Sequence, residues 1–265
     1  MPNVWFTADT HFRHVNLLAK GHRTGFDGIA EHDEALVTWW NETVRPWDTV
    51  WHLGDFGMGP AREFLPIVAQ LHGTVHLVTG NHDAPWPANR DAAKHQRWWM
   101  DAGFASVQPF ARRRVAGRQV LLSHFPYSGD HTDQDRGAQW RLPDLGAPLL
   151  HGHVHDMWAV RGHQLNVGVD VNAFRPVSMG AVAAWVEQLP DPADLASSRR
   201  DPAALRARFQ AAGYTVIGGR SDLYVRVERT LPAPARSVLV PLKQDAPDFD
   251  ELYDAAEHEL RLATS

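Results

Sequence analysis

Five short clusters of acidic, amide and imidazole side chains recur between residues 9 and 155 of this 265-residue chain. Each cluster follows a short apolar segment that is typical of a buried β-strand. The clusters are, in order, Asp9-Thr10-His11, Gly54-Asp55, Gly80-Asn81-His82-Asp83, Ser123-His124 and Gly152-His153-Val154-His155. In layered α/β folds the loops at the carboxyl ends of the strands converge, and ligands bind there. The sequence therefore predicts one polar site that is built from five loops.

The segments around these clusters predict a layered α/β fold, because apolar strands alternate with amphipathic helices. We expect strands at 3–7, 49–53, 75–78, 119–122, 149–150, 164–169 and 182–186, and helices at 29–42 and 62–70. Pro66 lies inside the second of these helices, where its missing N–H predicts a kink or a break.

The composition changes after residue 189, where a stretch rich in Pro, Asp and Ser is typical of a linker. We expect a first domain over residues 1–190 and a small α+β accessory domain over 200–265. In the second domain, a helix at 203–212, strands at 214–217, 223–228 and 237–242, and a helix at 249–262 give an α-β-β-β-α order. That order resembles double-stranded-RNA-binding and HicA-like domains by element order only. We favour a solvated accessory unit, with partner binding and dimerisation both open as its role.

Composition argues against several classes of protein. No uncharged apolar run approaches the roughly 18 residues that cross a bilayer, and the N-terminal segment lacks the basic and apolar regions of a secretory signal. The absence of Cys excludes disulfides and thiolate metal ligands. These features together favour the cytoplasm. The net charge of -5 argues against nucleic-acid binding by the chain as a whole, but a local basic patch stays open.

Histidine is abundant, and its distribution indicates metal chemistry in the first domain. Of the 16 His residues, only His258 lies beyond residue 190. Nitrogen and oxygen donors without sulfur suit Mn, Fe, Zn or Ni, and Mn is our first expectation. Two such ions about 3.5–4 Å apart need a shared carboxylate. Asp55 is the natural bridge, because Gly54 lets the backbone turn sharply beside it. The Asp-x-His and His-x-His pairs would each place two side chains on one side of an extended segment.

The same five blocks, in this order, resemble the signature of the calcineurin-like metallophosphoesterases. The resemblance covers about residues 3–186, and the segments 9–16, 123–127 and 166–170 are similar to the small bacterial and phage branch of that family. It implies a layered α/β/β/α sandwich, to which the small C-terminal unit is appended. It also implies a phosphoesterase that uses two divalent ions, and we expect a phosphodiesterase.

The resemblance also implies a role for each matching residue. The metal ligands would be Asp9, His11 and His155 for the first ion, Asn81, His124 and His153 for the second, and Asp55 between them. A water that bridges the ions would attack phosphorus in line. His82 would contact the phosphate or protonate the leaving oxygen, and Asp83 would orient His82. His14 would reach the phosphate or support the first loop, and His131 keeps a structural role and a site role open.

Nucleic acid, cyclic nucleotides and small nucleotide diesters all fit such a site as substrates. Arg136 and Arg141 follow the fourth cluster and are candidates for contacting a second phosphoester substituent. Trp86, Trp98 and Trp99 follow the third cluster, where core packing is the favoured interpretation and base stacking is the alternative. The alternative functions are a phosphomonoesterase, such as a protein phosphatase or a nucleotidase, and a non-catalytic scaffold. A scaffold would be expected to have lost ligands, whereas this chain has them all.

Overall fold

The computed structural model describes residues 2–132 and 137–190, together with the backbone of three strands at 215–218, 224–229 and 236–241. The chain divides into two compact units, Met1–Leu189 and Pro190–Ser265. All five polar clusters lie in the first unit, which is therefore the one that carries the candidate site.

The first sheet is mainly parallel and has five strands. They are β1 (Val4–Thr7), β2 (Thr49–His52), β3 (Thr74–Val78), β4 (Ser106–Gln108) and β10 (Val177–Ser178). Their order across the sheet is β10-β1-β2-β3-β4, and β10 runs antiparallel to β1. The parallel register pairs Val4 with Thr49 and Thr49 with Thr74, so that β1, β2 and β3 end at the same edge. The strands predicted at 3–7, 49–53 and 75–78 are confirmed.

The second sheet contains a hairpin that continues into parallel strands. Its strands are β5 (Phe110–Val115), β6 (Arg118–Ser123), β7 (Leu149–His151), β8 (Val160–Arg161) and β9 (Gln164–Asn166), in the order β5-β6-β7-β9-β8. β5 and β6 pair antiparallel, whereas β6, β7 and β9 are parallel. The strand predicted at 164–169 is shorter than expected, because a 3-10 turn begins at Val169.

Two apolar cores hold these layers together. Between the sheets, Phe6 of β1 shares one buried cluster with Leu122 of β6. On the other face of the first sheet, a second cluster contains Trp40 and Trp99. These two residues come from the helices α2 (Ile29–Thr43) and α4 (Ala92–Asp101), while α1 (Val15–Ala19) and α3 (Ala61–Phe64) are short. Full burial of one such large side chain contributes on the order of 2 kcal/mol. The predicted layered α/β class is confirmed.

The strand predicted at 182–186 is wrong, because these residues belong to helix α5 (Met179–Gln188). Val182 and Val186 are both buried, and a spacing of four residues places them on one helix face. The start of the helix has a sequence signal that the prediction missed. Ser178 is the N-cap, and its Oγ accepts a hydrogen bond from the Ala181 N–H (3.1 Å).

The helix predicted at 62–70 changes type at Pro66. It begins as α3 and continues from Leu65 to Gln70 as a 3-10 helix with the proline in its first turn. Pro lacks the N–H that an α-helix interior needs, and its ring favours the first helical turn. The predicted break is therefore confirmed, and the predicted helix at 29–42 is confirmed as α2.

The second unit contains a three-stranded antiparallel sheet. Its strands are β11 (Thr215–Gly218), β12 (Tyr224–Arg229) and β13 (Arg236–Pro241), with β12 in the centre. They match the three strands predicted there, whereas the helices predicted at 203–212 and 249–262 lie outside the described residues. In the part of the chain that the structure describes, no helix is long and apolar enough to cross a membrane.

Candidate metal centre

The five polar clusters meet where strands of both sheets end. Asp9 follows β1, Asp55 follows β2, Asn81 follows β3, His124 follows β6 and His153 follows β7. Asp9, Asp55 and His124 come from three different loops, yet their ligand atoms lie within 4.8 Å of one another. The convergence predicted from the sequence is therefore present.

Backbone hydrogen bonds connect these loops to one another. The Asp9 N–H donates to Gly54 O (3.0 Å), and the His11 N–H donates to Asp55 O (3.0 Å). The His153 N–H donates to the Asp9 carboxylate, with Oδ2 at 3.0 Å. Because each loop holds its neighbour, the ligand positions depend on the backbone as well as on side-chain rotamers.

Five of the predicted ligands have left-handed backbone conformations. Their φ angles are 58° at Asp9, 49° at His11, 55° at Asp55, 73° at His153 and 49° at His155. For residues other than Gly this conformation costs about 1–2 kcal/mol each, and such strain gathers at functional sites. The expectation that the Asp-x-His and His-x-His pairs lie in extended segments is wrong, since both members of each pair are left-handed.

The first candidate ligand group contains Asp9, His11 and His155, whose ligand atoms lie within 4.8 Å of one another. His11 Nε2 is buried and has no hydrogen-bond partner among the described residues. It lies 4.0 Å from Asp9 Oδ1 and 3.7 Å from Asp55 Oδ2. A buried polar atom without a partner costs about 1–3 kcal/mol. A cation held between this nitrogen and the two carboxylates would remove that cost, so the residues fit a metal ion.

The second group surrounds Asp55. His124 Nε2 lies 3.4 Å from Asp55 Oδ2 and 3.2 Å from Asn81 Oδ1. The ring of His153 meets that of His124 edge-on, with centroids 5.1 Å apart. Because Asp55 Oδ2 also faces His11, this carboxylate lies between the two groups, where a bridging ligand is required.

Two of the imidazoles have a partner on the ring nitrogen that faces away from the centre. The pairs are His124 Nδ1 with Leu53 O (2.8 Å) and His155 Nδ1 with Asp170 Oδ2 (2.9 Å). Histidines that bind metal usually engage their other nitrogen in this way, which orients the ring and leaves one nitrogen for the ion. A further ligand candidate, His153, has its Nε2 3.3 Å from Asp130 Oδ2. Asp130 was not predicted from the sequence, because it lies in none of the five blocks.

Arg23 links Asp170, the partner of His155, to the loop that contains Asp9. Arg23 was not predicted from the sequence. Its side chain is buried and donates to both carboxylate oxygens of Asp170 (2.7 and 3.0 Å). It also donates to Thr10 O (3.0 Å) and to Asp9 O. Since Asp170 in turn contacts His155, one guanidinium supports ligands in two loops.

The charged groups of the centre have strongly shifted pKa values. Burial raises the pKa of Asp9 to about 6 and lowers the pKa of His153 to about 3. Burial also lowers the pKa of His11 well below its ordinary value. Burial alone would lower the pKa of His124, but the neighbouring Asp55 carboxylate raises it to about 9. Neutral imidazole is the form that binds metal, and buried carboxylates need compensating positive charge. The lowered pKa values of His11 and His153 and the buried carboxylates therefore favour bound cations, whereas His124 must lose a proton before it can bind one.

An open cleft with a volume of about 450 Å³ leads to the first ligand group. His11 and His155 form part of its wall, together with the four further histidines His14, His22, His82 and His131. The His82 side chain is 34% exposed, and its Nε2 lies 4.0 Å from Asp55 Oδ2. His131, whose role stayed open in the sequence, has its ring centroid 5.3 Å from that of His155. A ligand in this cleft would therefore reach both the metal ligands and several imidazole donors.

Comparison with known proteins agrees with this geometry. The profile of the Calcineurin-like phosphoesterase superfamily domain matches residues 3–188. The chain belongs to the calcineurin-like phosphoesterase superfamily. It is similar to the Gene 66 protein of Mycobacterium phage L5, with 43% identity over 185 residues that cover 64% of this chain and 87% of that protein. The Gene 66 protein of Mycobacterium phage D29 is 40% identical over 181 residues, which cover 64% of this chain and 89% of the phage protein.

A solved structure shows the same fold. The crystal structure of AQ665 from Aquifex aeolicus, a protein of unknown function, has a TM-score of 0.54 and 25% identity to this chain. The similarity covers 70% of this chain and 100% of the Aquifex protein. The predicted family and its layered sandwich are confirmed, and the phage relatives agree with the predicted small bacterial and phage branch.

Within this superfamily fold, Asp83 has other contacts than the sequence predicted. Its buried carboxylate accepts hydrogen bonds from the backbone N–H groups of Asp55 (3.0 Å), Phe56 (3.0 Å) and Gly80 (2.8 Å). The expected contact with the His82 ring is not found among the described residues. Asp83 instead holds the loop that presents the Asp55 carboxylate, because it accepts from the backbone N–H of Asp55 itself.

Of the two arginines expected at the substrate, the structure describes only Arg141. Arg141 Nη1 donates to Pro126 O (2.9 Å), and its guanidinium lies 5.9 Å from the Phe125 ring centroid. It is absent from the residues that line the cleft described above. Arg136 lies outside the described residues.

The three tryptophans after the third cluster have separate environments. Trp99 is fully buried in the core, as the favoured interpretation predicted. Trp98 is 48% exposed, and Lys94 Nζ lies 4.8 Å from its ring centroid. Trp86 packs against Trp140, with ring centroids 5.6 Å apart. None of the three lines the cleft over the first ligand group.

Proposed function

We propose that the first unit is a phosphodiesterase that requires two divalent transition-metal ions. The observation that carries the proposal is the position of Asp55 Oδ2, which faces His11 Nε2 at 3.7 Å and His124 Nε2 at 3.4 Å. These two nitrogens belong to separate ligand groups, so one carboxylate serves both. The superfamily supplies the reaction class, hydrolysis of a phosphoester. Donors of nitrogen and oxygen without sulfur support Mn, with Fe, Zn and Ni as alternatives.

The proposed ligands follow the family resemblance and are supported by the contacts described above. They are Asp9, His11 and His155 for the first ion, Asn81, His124 and His153 for the second, and Asp55 for both. When bound, two such ions would supply positive charge to the phosphoryl oxygens and lower the pKa of a water molecule. The chain itself orients two of these ligands, His124 through Leu53 O and His155 through Asp170.

His82 is the proposed proton donor to the leaving oxygen. Its ring is half-exposed in the cleft, while Nε2 points toward the centre at 4.0 Å from Asp55 Oδ2. This position lets it contact both a bound phosphoester and solvent. His14 lies behind it, with Nδ1 3.2 Å from His11 Nδ1, and this contact supports a role in holding the His11 ring. A positioned general acid contributes about 10²–10⁴-fold to the rate.

The charge of the cleft supports a diester substrate. A phosphodiester carries one negative charge, whereas a phosphomonoester at neutral pH carries about -1.5 to -2. Lys20 is the only Lys or Arg among the described residues that line the cleft, and Asp156 and Asp170 also line it. Arg23 is committed to Asp170 and to backbone oxygens. The cleft therefore has few positively charged side chains to balance the second negative charge of a phosphomonoester.

The test compares a diester with a monoester on the same metal-loaded protein. Protein reloaded with Mn should contain two ions per chain, and its kcat/KM should be at least tenfold higher for bis(p-nitrophenyl) phosphate than for p-nitrophenyl phosphate. Fewer than two ions, or a preference for the monoester, would contradict the proposal. The His82→Ala variant should keep both ions and lose about 10²–10⁴-fold in kcat on a diester with a poor leaving group. His95→Ala, on α4 outside the cleft, is the matched control and should stay within twofold.

We also assign catalysis to residues 1–190 and an accessory role, partner binding or dimerisation, to residues 200–265. The superfamily profile ends at residue 188, and every proposed site residue lies before that point. A chain that ends at residue 190 should retain kcat/KM on the small diester within tenfold. A larger loss in soluble, folded protein would show that the second unit shapes the site.

A further inference from the structure

A second concave feature lies on β5, the outer strand of the second sheet. Arg112, Arg113 and Arg114 line a surface groove of about 450 Å³, together with Gly117 and Gln119. We call it the arginine groove. No carboxylate is among its lining residues, so its charge is positive throughout.

The arginines of this groove have no acidic partner among the described residues. Arg112 Nη1 donates to the neutral side chain of Gln119 (3.0 Å), and the Arg113 guanidinium lies 5.8 Å from the Trp51 ring centroid. Three other arginines of the first unit are paired with carboxylates: Arg13 with Asp33 (3.3 Å), Arg23 with Asp170 (2.7 Å) and Arg175 with Glu42 (2.8 Å). In a chain of net charge -5, three adjacent uncompensated cations repel one another, and an anion would relieve that repulsion.

A row of exposed side chains on β5 runs from the arginine groove toward the metal centre. Alternate residues of a strand share a face, so Phe110, Arg112 and Arg114 form one row, and all three are exposed. Neighbours in the row are about 6.6–6.8 Å apart, which is compatible with the spacing of successive phosphates in an extended nucleic-acid strand. Phe110 is 57% exposed and pairs with Ser123, the residue before the metal-ligand candidate His124. The row therefore ends with an aromatic ring beside the loop of the centre.

We propose that this row binds single-stranded nucleic acid, with phosphates on Arg112 and Arg114 and a base stacked on Phe110. The inference rests on the proposed function and specifies its substrate class, a polynucleotide whose strand is led toward the metal centre. Proteins that bind single strands without sequence preference combine a basic groove with exposed aromatic rings in this way. A duplex would contact the arginines but would not offer a free base face to Phe110.

The test is the binding of a fluorescent 20-nucleotide single strand to the full-length protein in chelating buffer, where hydrolysis is prevented. Arg112→Gln/Arg114→Gln should weaken Kd at least tenfold at about 0.1 M salt, because each lost phosphate contact removes roughly 0.7 from the slope of log K against log salt. The control Arg62→Gln/Arg97→Gln removes the same charge from side chains that are 84% and 86% exposed elsewhere, and should stay within twofold. Phe110→Ala should weaken single-strand binding about fivefold or more and leave duplex binding unchanged.

If both double variants weakened binding equally, binding would follow net charge. If neither weakened it, the nucleic acid would bind on another surface. Either result would overturn the proposal. Binding of polyglutamate that requires Arg112 and Arg114, without binding of the oligonucleotide, would assign the row to an acidic polypeptide and overturn it as well. Hydrolysis of the small diester by Mn-loaded protein is measured in parallel. If the row does not bind nucleic acid, hydrolysis of the small diester should still be observed. If the unaltered protein does not hydrolyse the small diester, the proposed function is refuted, independently of the row.

Discussion

Replacing Asp83 with Ala should damage the metal centre through the backbone. In the variant, the buried N–H groups of Asp55, Phe56 and Gly80 lose their common acceptor. Each buried donor without a partner costs about 1–3 kcal/mol, and removal of a buried charge returns part of its desolvation cost. The net loss in the free energy of unfolding should be about 3–5 kcal/mol, a large share of the 5–15 kcal/mol typical of a domain.

The Asp83→Asn variant provides a graded comparison. The Asp55 and Gly80 N–H groups both donate to Oδ2, whereas the Phe56 N–H donates to Oδ1. An amide can keep one oxygen in the shared position, but its NH₂ group then faces the third donor. We therefore expect one donor to be lost, at a cost of about 1–3 kcal/mol, and stability to fall in the order Asp, Asn, Ala.

The assay combines urea unfolding, elemental analysis and kinetics on the small diester. For Asp83→Ala, the free energy of unfolding, the number of bound ions and kcat/KM should all fall together, because the loop that presents Asp55 has lost its support. His82→Ala is the comparison, since it should lower kcat with both ions retained. If Asp83→Ala showed that second pattern, with unchanged stability and ion content, the carboxylate would act on His82 and the present reasoning would be refuted.

Two further carboxylates give predictions of their own. Asp170→Asn should weaken binding of the first ion by about 10–100-fold in metal titrations, because His155 and Arg23 lose their charged partner; an unchanged affinity would contradict this. Although burial alone raises the pKa of Asp48, hydrogen bonds from Asn3 and Trp5 lower it below its ordinary value. A lowered pKa contributes stability above the unfolded pKa of about 3.9, which is lost as pH falls. Asp48→Asn should therefore be more destabilising in urea at pH 7 than at pH 3.

The sequence could predict that the polar clusters converge, because the signal is local. Asp9 and His124 each follow a short apolar strand, and the loops at the ends of such strands meet. Hydrophobic periodicity is a weaker guide to secondary structure where one pattern fits both a strand and a helix. The apolar residues at 182–186 are such a case. The N-cap Ser178 distinguishes the two, because Ser directly before an apolar run favours the start of a helix.

Residues that act through long-range contacts could not be predicted in this way. Arg23 lies 147 positions from its partner Asp170, and Asp130 lies in a segment without a periodic pattern. Nothing in the local sequence distinguishes a buried arginine that supports two loops from an exposed one. The same holds for Asp83, whose neighbour His82 suggested a contact that the folded backbone does not make. Partners of this kind follow from topology, which brings distant loops together after the strands have paired.

The Asp55 carboxylate packs directly against Gly80, where no side chain can be accommodated. This contact leads to a direct prediction for Gly80. A Cβ added at Gly80 would overlap Asp55 Oδ1 and lie 2.6 Å from the Asp55 backbone N, so Gly80→Ala must displace the bridging carboxylate. Because Asp55 serves both ligand groups, we expect fewer than two ions per chain and a loss of kcat/KM of about 100-fold or more, comparable to the loss of a metal-site contact. Gly28→Ala is the matched control, since an added Cβ there has no neighbour within 4 Å. It should keep both ions and full activity, at a stability cost of about 1 kcal/mol at a helix N-cap. Two tightly bound ions in Gly80→Ala would mean that Asp55 can move without loss of the centre, and would remove the basis for treating it as the fixed bridge.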